Sequence, residues 1–105
     1  MEDLTNKAKE ILKSQKGFIS ANNYEVIKVL ENYCELEGII TDTSINHLGI
    51  AHGGYIFGLA DTAAGIAAMT DERVAVTIDS NIQYFKPSKG NKLKPSQPPL
   101  TYFLY

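Results

Sequence analysis

The sequence predicts an α+β fold organised on one long helix, and three stretches predict it. From His52 to Met69 the chain reads HGGYIFGLADTAAGIAAM, with Asp61 as its one formally charged residue. Tyr24 to Thr43 is enriched in β-branched and aromatic residues, and Val74 to Tyr84 alternates apolar with polar side chains. A helix that is apolar on every side is normally buried on every side, so the first run is read as a central helix covered by strands.

The chain has 105 residues, 44% of them hydrophobic, and a formal net charge of -2. That is the composition of a soluble globular domain. No basic stripe with interleaved aromatics occurs, which excludes nucleic acid as the expected partner. Cys34 is the only cysteine and cannot form an internal disulfide, and the opening MEDLTNKAKEILKSQKG lacks an apolar signal core. Both features lead to a cytoplasmic expectation. Two histidines without clustered cysteines argue against a structural metal site. At about 1.5 Å per residue the central run is about 27 Å long, which a membrane span requires. Asp61 near its middle and the glycines Gly54, Gly58 and Gly65 make a buried soluble helix the better reading.

Taken in order, Glu2 to Lys16 places Leu4, Ala8, Ile11 and Leu12 at helical spacing, with acids at the front and lysines towards the back. This predicts a short amphipathic helix that lies on the domain, ended by Gly17, with packing as its role. Tyr24–Leu30 and Tyr33–Thr43 read as a hairpin turning at Glu31-Asn32. Cys34 falls in its second strand, as a small buried hydrophobe rather than a nucleophile.

Residues 42–51, DTSINHLGIA, form a polar connection into the central helix, the kind of loop that often carries ligand-contacting groups. Asn46 and His47 within it also suit turns and caps. After the helix, Thr70 to Arg73 is a charged turn, and Val74 to Tyr84 is a strand with one apolar face, stopped by the sequence from Lys86 to Gly90. The last fifteen residues, NKLKPSQPPLTYFLY, hold three of the four prolines and have room for at most one short strand. The expected division is a domain over residues 1–93 and an atypical proline-rich tail over 94–105.

The central helix also carries candidate chemistry. Amides at a helix N-terminus point outward unpaired, and Gly53 lets a substrate oxygen approach them, as in an oxyanion hole. Asp61 lies eight residues further on, about 12 Å along the axis, so the two cannot act on one bond within one chain. Two such helices crossing antiparallel about a twofold near Phe57 and Gly58 would bring Asp61 of one beside Gly53 of the other, with Gly58 allowing the close approach. The plainer alternative for Asp61 is a hydrogen-bonded core acid, although a buried acid without a task is rare.

Asn46, His52-Gly53-Gly54, Leu59-Ala60-Asp61, Val76-Thr77, Tyr84-Phe85-Lys86-Pro87 and Gly90 follow, in order and spacing, the pattern of hotdog-fold acyl-CoA thioesterases of the phenylacetate-degradation type. The chain resembles them from about Tyr24 to Leu93. The resemblance implies a long helix wrapped by a curved antiparallel sheet, a homodimer often paired again into a tetramer, and hydrolysis of acyl-CoA without metal or cofactor. By position it implies Asp61 as general base or nucleophile, the Gly53 amide holding the thioester oxygen, Asn46 orienting the carbonyl or the water, and Thr77 positioning water near the acid. His52, Gly54, Lys86 and Pro87 are the implied substrate-binding positions, the last two towards coenzyme A.

Members of that family continue past the equivalent of Leu93 with further long strands, so the expected sheet is incomplete, its last strands replaced, truncated or frameshifted. Three strands about 4.8 Å apart cover too little of a 27 Å helix. Two alternatives to hydrolysis follow: a non-catalytic acyl-CoA binding or regulatory protein, and an inactive truncated product. A dehydratase or hydratase on an acyl thioester needs an acid and a histidine converging, whereas His52 and Asp61 are nine residues apart along the helix.

Overall fold

The computed structural model describes residues 2–14 and 16–84, together with the backbone of two short strands, Lys92–Leu93 and Phe103–Leu104. The elements run α1 (Thr5–Lys13), α2 (Phe18–Ala21), β1 (Tyr24–Leu30), β2 (Tyr33–Ile39), α3 (Gly53–Ala68), β3 (Thr77–Asp79), β4 (Lys92–Leu93) and β5 (Phe103–Leu104). They form an α+β fold in which α3 lies on a three-stranded antiparallel sheet of order β1-β2-β4. A second, two-stranded sheet pairs β3 with β5.

The hairpin has its expected turn. Asn32 adopts φ 58°, a left-handed conformation that asparagine tolerates, and Leu30 pairs with Tyr33 across it. The strand register shifts between Val26 and Lys28, where Ile27 is the extra residue and is exposed. The second strand ends at Ile39 rather than Thr43, because Thr41 and Ser44 leave the ladder for a tight turn: Ser44 Oγ accepts from Thr41 N at 2.7 Å and donates to Thr41 O at 3.0 Å.

The core is the meeting of the hairpin with one stripe of α3. Tyr24 and Leu36 pack against Tyr55, Leu59 and Ala63, which recur every four residues along the helix. Tyr24 and Tyr55 stack with ring centroids 5.0 Å apart, and the Tyr24 hydroxyl donates to Tyr55 O at 2.6 Å. The Tyr55 hydroxyl lies 2.8 Å from Asn22 O and 3.0 Å from Ile39 O, which ties α3 to both ends of the hairpin. Gly38 makes this possible, since a Cβ there would stand 2.7 Å from the Tyr55 hydroxyl.

Several sequence expectations are corrected. The amphipathic helix occupies Thr5–Lys13, and Gly17 opens the separate α2 instead of closing α1. α3 is buried along one stripe, not all round, because its apolar composition does not specify from which sides cover arrives. The expected strand from Val74 to Tyr84 is paired only over Thr77–Asp79, and Val74, Val76 and Ile78 are exposed. Alternation defines two faces, but a strand also needs a hydrogen-bonding neighbour, and β5 supplies just the pairs Thr77 with Leu104 and Asp79 with Phe103. The last fifteen residues hold two short strands rather than at most one, and they pair with different sheets. The stop signal expected from Lys86 to Gly90 lies outside the described residues.

Candidate active site

The start of α3 is built by the preceding loop. Asn46 folds it back: its backbone N–H donates to Ile50 O at 2.8 Å, and its Oδ1 accepts from Leu48 N at 2.9 Å and Ile50 N at 3.4 Å. This closes a bridge between Ile45 and Ala51, and His52 N donates to the carbonyl of the buried Ser44 at 2.8 Å. The carboxamide oxygen of Asn46 is therefore committed to the loop, and its Nδ2 takes no part in these bonds.

His52 is the N-cap of α3. Its Nδ1 accepts from Gly54 N at 2.8 Å, so that nitrogen carries no proton and Nε2 is the donor. The Gly53 N–H belongs to the first turn, beyond the reach of intrahelical carbonyls, and no described residue accepts from it. Tyr84 lies over this turn: its hydroxyl donates to Gly53 O at 2.8 Å, and its ring is 3.4 Å from where a Gly53 Cβ would stand. The sequence reading placed Tyr84 at the end of a strand and did not find this contact, which joins residues 31 apart.

Two turns further along α3, Asp61 is half-buried, and Thr77 Oγ1 donates to its Oδ1 at 2.7 Å. The hydroxyl proton thus points at the carboxylate and fixes its rotamer. The pair sits where two clefts meet. One, of about 710 Å³, runs between α1 and the C-terminal half of α3. The other, of about 620 Å³, passes Gly54, Phe57 and Phe18 towards the helix start.

Asp61 and Thr77 are brought together, and so are Asn46, His52, Gly53 and Gly54. The two groups remain apart within the chain, at the two ends of a helical segment of about 12 Å. Lys86 and Pro87 lie outside the described residues. Gly58 does not leave space for a second helix, as its spacing suggested. Its missing side chain is occupied from within the chain, by the Tyr24 hydroxyl at 2.7 Å and the Phe18 ring at 2.9 Å from a would-be Cβ. Cys34 is held by burial, with the neighbouring Glu35 charge, up to about 12, as suits an unreactive thiol. No cluster of three or more His, Cys, Asp or Glu able to hold a metal occurs among the described residues, and none of their helices is long and apolar enough to cross a membrane.

A helix laid on an antiparallel sheet and entered through a His-Gly-Gly cap defines a hotdog fold. The Escherichia coli PaaI protein from the phenylacetic acid degradation operon superposes with a TM-score of 0.76 at 24% identity, over 87% of this chain and 69% of that one. Residues 48–93 match the family model of the Thioesterase superfamily. A hypothetical thioesterase of Streptococcus pneumoniae, solved with coenzyme A, is 33% identical over 73% of this chain and 63% of that one, with a TM-score of 0.64. It has also been solved with an Asp and a Thr each replaced by Ala, at the sequence separation of Asp61 and Thr77 here. A curated Archaeoglobus fulgidus protein designated an esterase is 25% identical over 86% of this chain. The chain spans 59% of the length of that relative.

Proposed function

We propose that this protein hydrolyses acyl-CoA thioesters to the free acid and coenzyme A at a site shared between two copies of the chain. The observation that carries the reading is the hydrogen bond from Thr77 to the half-buried Asp61, a paired acid in an open cleft on a helix whose other end presents a free amide. The Streptococcus pneumoniae relative supports it, with coenzyme A bound and an Asp and a Thr chosen for replacement at the same separation.

In this reading Gly53 N–H of one copy donates to the thioester oxygen as negative charge develops there. Asp61 of the other copy takes a proton from water, and the oxygen of that water adds to the carbonyl carbon. The carbon–sulfur bond then breaks, and the thiolate takes the proton back from Asp61. If Asp61 instead attacks directly, the same water later hydrolyses the acyl-aspartyl anhydride. Thr77 positions the carboxylate, and Asn46 Nδ2 and His52 Nε2 are donors beside the helix start. Gly54 lets substrate approach the capped turn, and Lys86 and Pro87 are assigned to the coenzyme A side.

A homodimer is the smallest assembly that completes the site, because Gly53 and Asp61 of one chain cannot reach one bond. The experiment is acyl-CoA hydrolysis by Asp61→Asn protein whose solution mass equals that of the wild type. Loss of turnover is expected, and unchanged turnover overturns the assignment.

A further inference from the structure

The geometry points to the groove between α1 and α3 as the seat of the substrate's acyl chain, kept open by Gly65 and closed at its far end by Met69; this rests on the thioester reading above. Asp61, Gly65 and Met69 lie at i, i+4 and i+8 on one face of α3, so the groove floor starts at the proposed reacting carboxylate and runs about 12 Å from it. The opposite wall is the apolar stripe of α1, Leu4, Ala8, Ile11 and Leu12. That wall is fixed to the hairpin at its start, where Leu4 N donates to Val29 O at 2.8 Å and Thr5 Oγ1 accepts from Val29 N at 2.9 Å. Yet no residue of α1 is buried, and Ile11 and Met69 remain 49% and 41% exposed. Two largely apolar walls are held apart around about 710 Å³, the size of a small-molecule site; Asp61 and Thr77 stand at the proposed reacting end, and Lys7, Thr62, Thr70 and Glu72 also line it.

Gly65 supplies an independent argument. A glycine inside a helix is less favourable than alanine through its backbone entropy, so it calls for a packing reason. Gly58 has one in Tyr24 and Phe18; at Gly65 no protein atom lies within 4 Å of a would-be Cβ. What its missing side chain faces is the groove. A linear acyl chain extending from a carbonyl at Asp61 is the occupant whose shape, polarity and starting point agree with these walls.

The test uses the full chain and thioether analogues of acyl-CoA, which have no carbonyl to hydrolyse, with tails from two carbons to twelve. Calorimetric affinity for the wild type is expected to rise about threefold to fourfold per added methylene until the groove is full. In Gly65→Leu the ratio of affinities between the longest and shortest tails is expected to fall at least about tenfold, and in Gly65→Ala by less, in a substitution any helix accepts. Affinity independent of tail length in the wild type, or an unchanged ratio in both variants, overturns the proposal. Length-dependent binding without any acyl-CoA hydrolysis would overturn the proposed reaction and leave the groove standing. Hydrolysis without length dependence would overturn the groove alone.

Discussion

The hydroxyl of Tyr24 occupies the place of a Gly58 side chain, 2.7 Å from where its Cβ would be, and from there it donates to Tyr55 O. A methyl group at residue 58 must displace a buried phenol from its hydrogen bond, and the Phe18 ring at 2.9 Å blocks the other direction. Gly58→Ala is therefore expected to destabilise the fold by about 1–3 kcal/mol despite better helix propensity. Gly65→Ala, open to solvent and groove, is expected to stabilise it by up to about 1 kcal/mol. Urea midpoints of the two variants check the opposite signs.

Tyr55 holds the hairpin's two ends to α3 through one hydroxyl. Tyr55→Phe leaves the Asn22 and Ile39 carbonyls short of that donor and is expected to lower stability by about 1–2 kcal/mol. Thermal unfolding at neutral pH measures it.

His52 caps α3 with a ring nitrogen where Ser, Thr, Asn or Asp is usual. His52→Ala is expected to cost about 1 kcal/mol of stability, and His52→Asn to restore most of it. A loss of activity in the Asn variant that exceeds its loss of stability would assign the remaining ring nitrogen to substrate.

Thr77→Ala removes the donor to Asp61 and is expected to lower kcat for acyl-CoA hydrolysis about 10- to 100-fold, the range of a hydrogen bond to a charged group. Thr77→Ser keeps the hydroxyl and is expected to recover it. Recovery in kcat rather than in KM distinguishes positioning of the carboxylate from substrate binding.

Burial, with Tyr55 beside it, pushes the Tyr24 hydroxyl up to about 12 from 10.0, and burial with Glu35 nearby pushes the Cys34 thiol up to about 12 from 9.0. Both groups are neutral in the fold and ionise more readily in the unfolded chain. Their stabilisation is complete below about pH 9 and is lost as pH rises from there to about 12. A urea midpoint that falls over this window, less steeply in Cys34→Ala relative to its own neutral-pH value, is the expected result.

The placement of the candidate residues on the helix was legible because helical geometry is local. The run from His52 to Met69 fixed the length of α3 almost to the residue, and the apolar hairpin with its Asn32 turn followed from local pattern. Local pattern also separated Gly53 from Asp61 by the helical rise, independently of everything else in the chain. Local pattern could not assign neighbours. Gly58 was equally suited to a second helix or to the Tyr24 hydroxyl, and only packing across 34 residues of sequence chose the latter. Val74 to Tyr84 had two faces on paper, but its pairing depended on what stood beside it.

The sequence by itself determined an α+β chain with one acid on a long apolar helix, since periodicity and composition record which side chains avoid water. Tertiary packing alone set Thr77 against that acid, Tyr84 over the helix start and α1 along the groove beside α3. Each of these is a contact between distant residues, set by how the elements meet in space, and no local pattern encodes it.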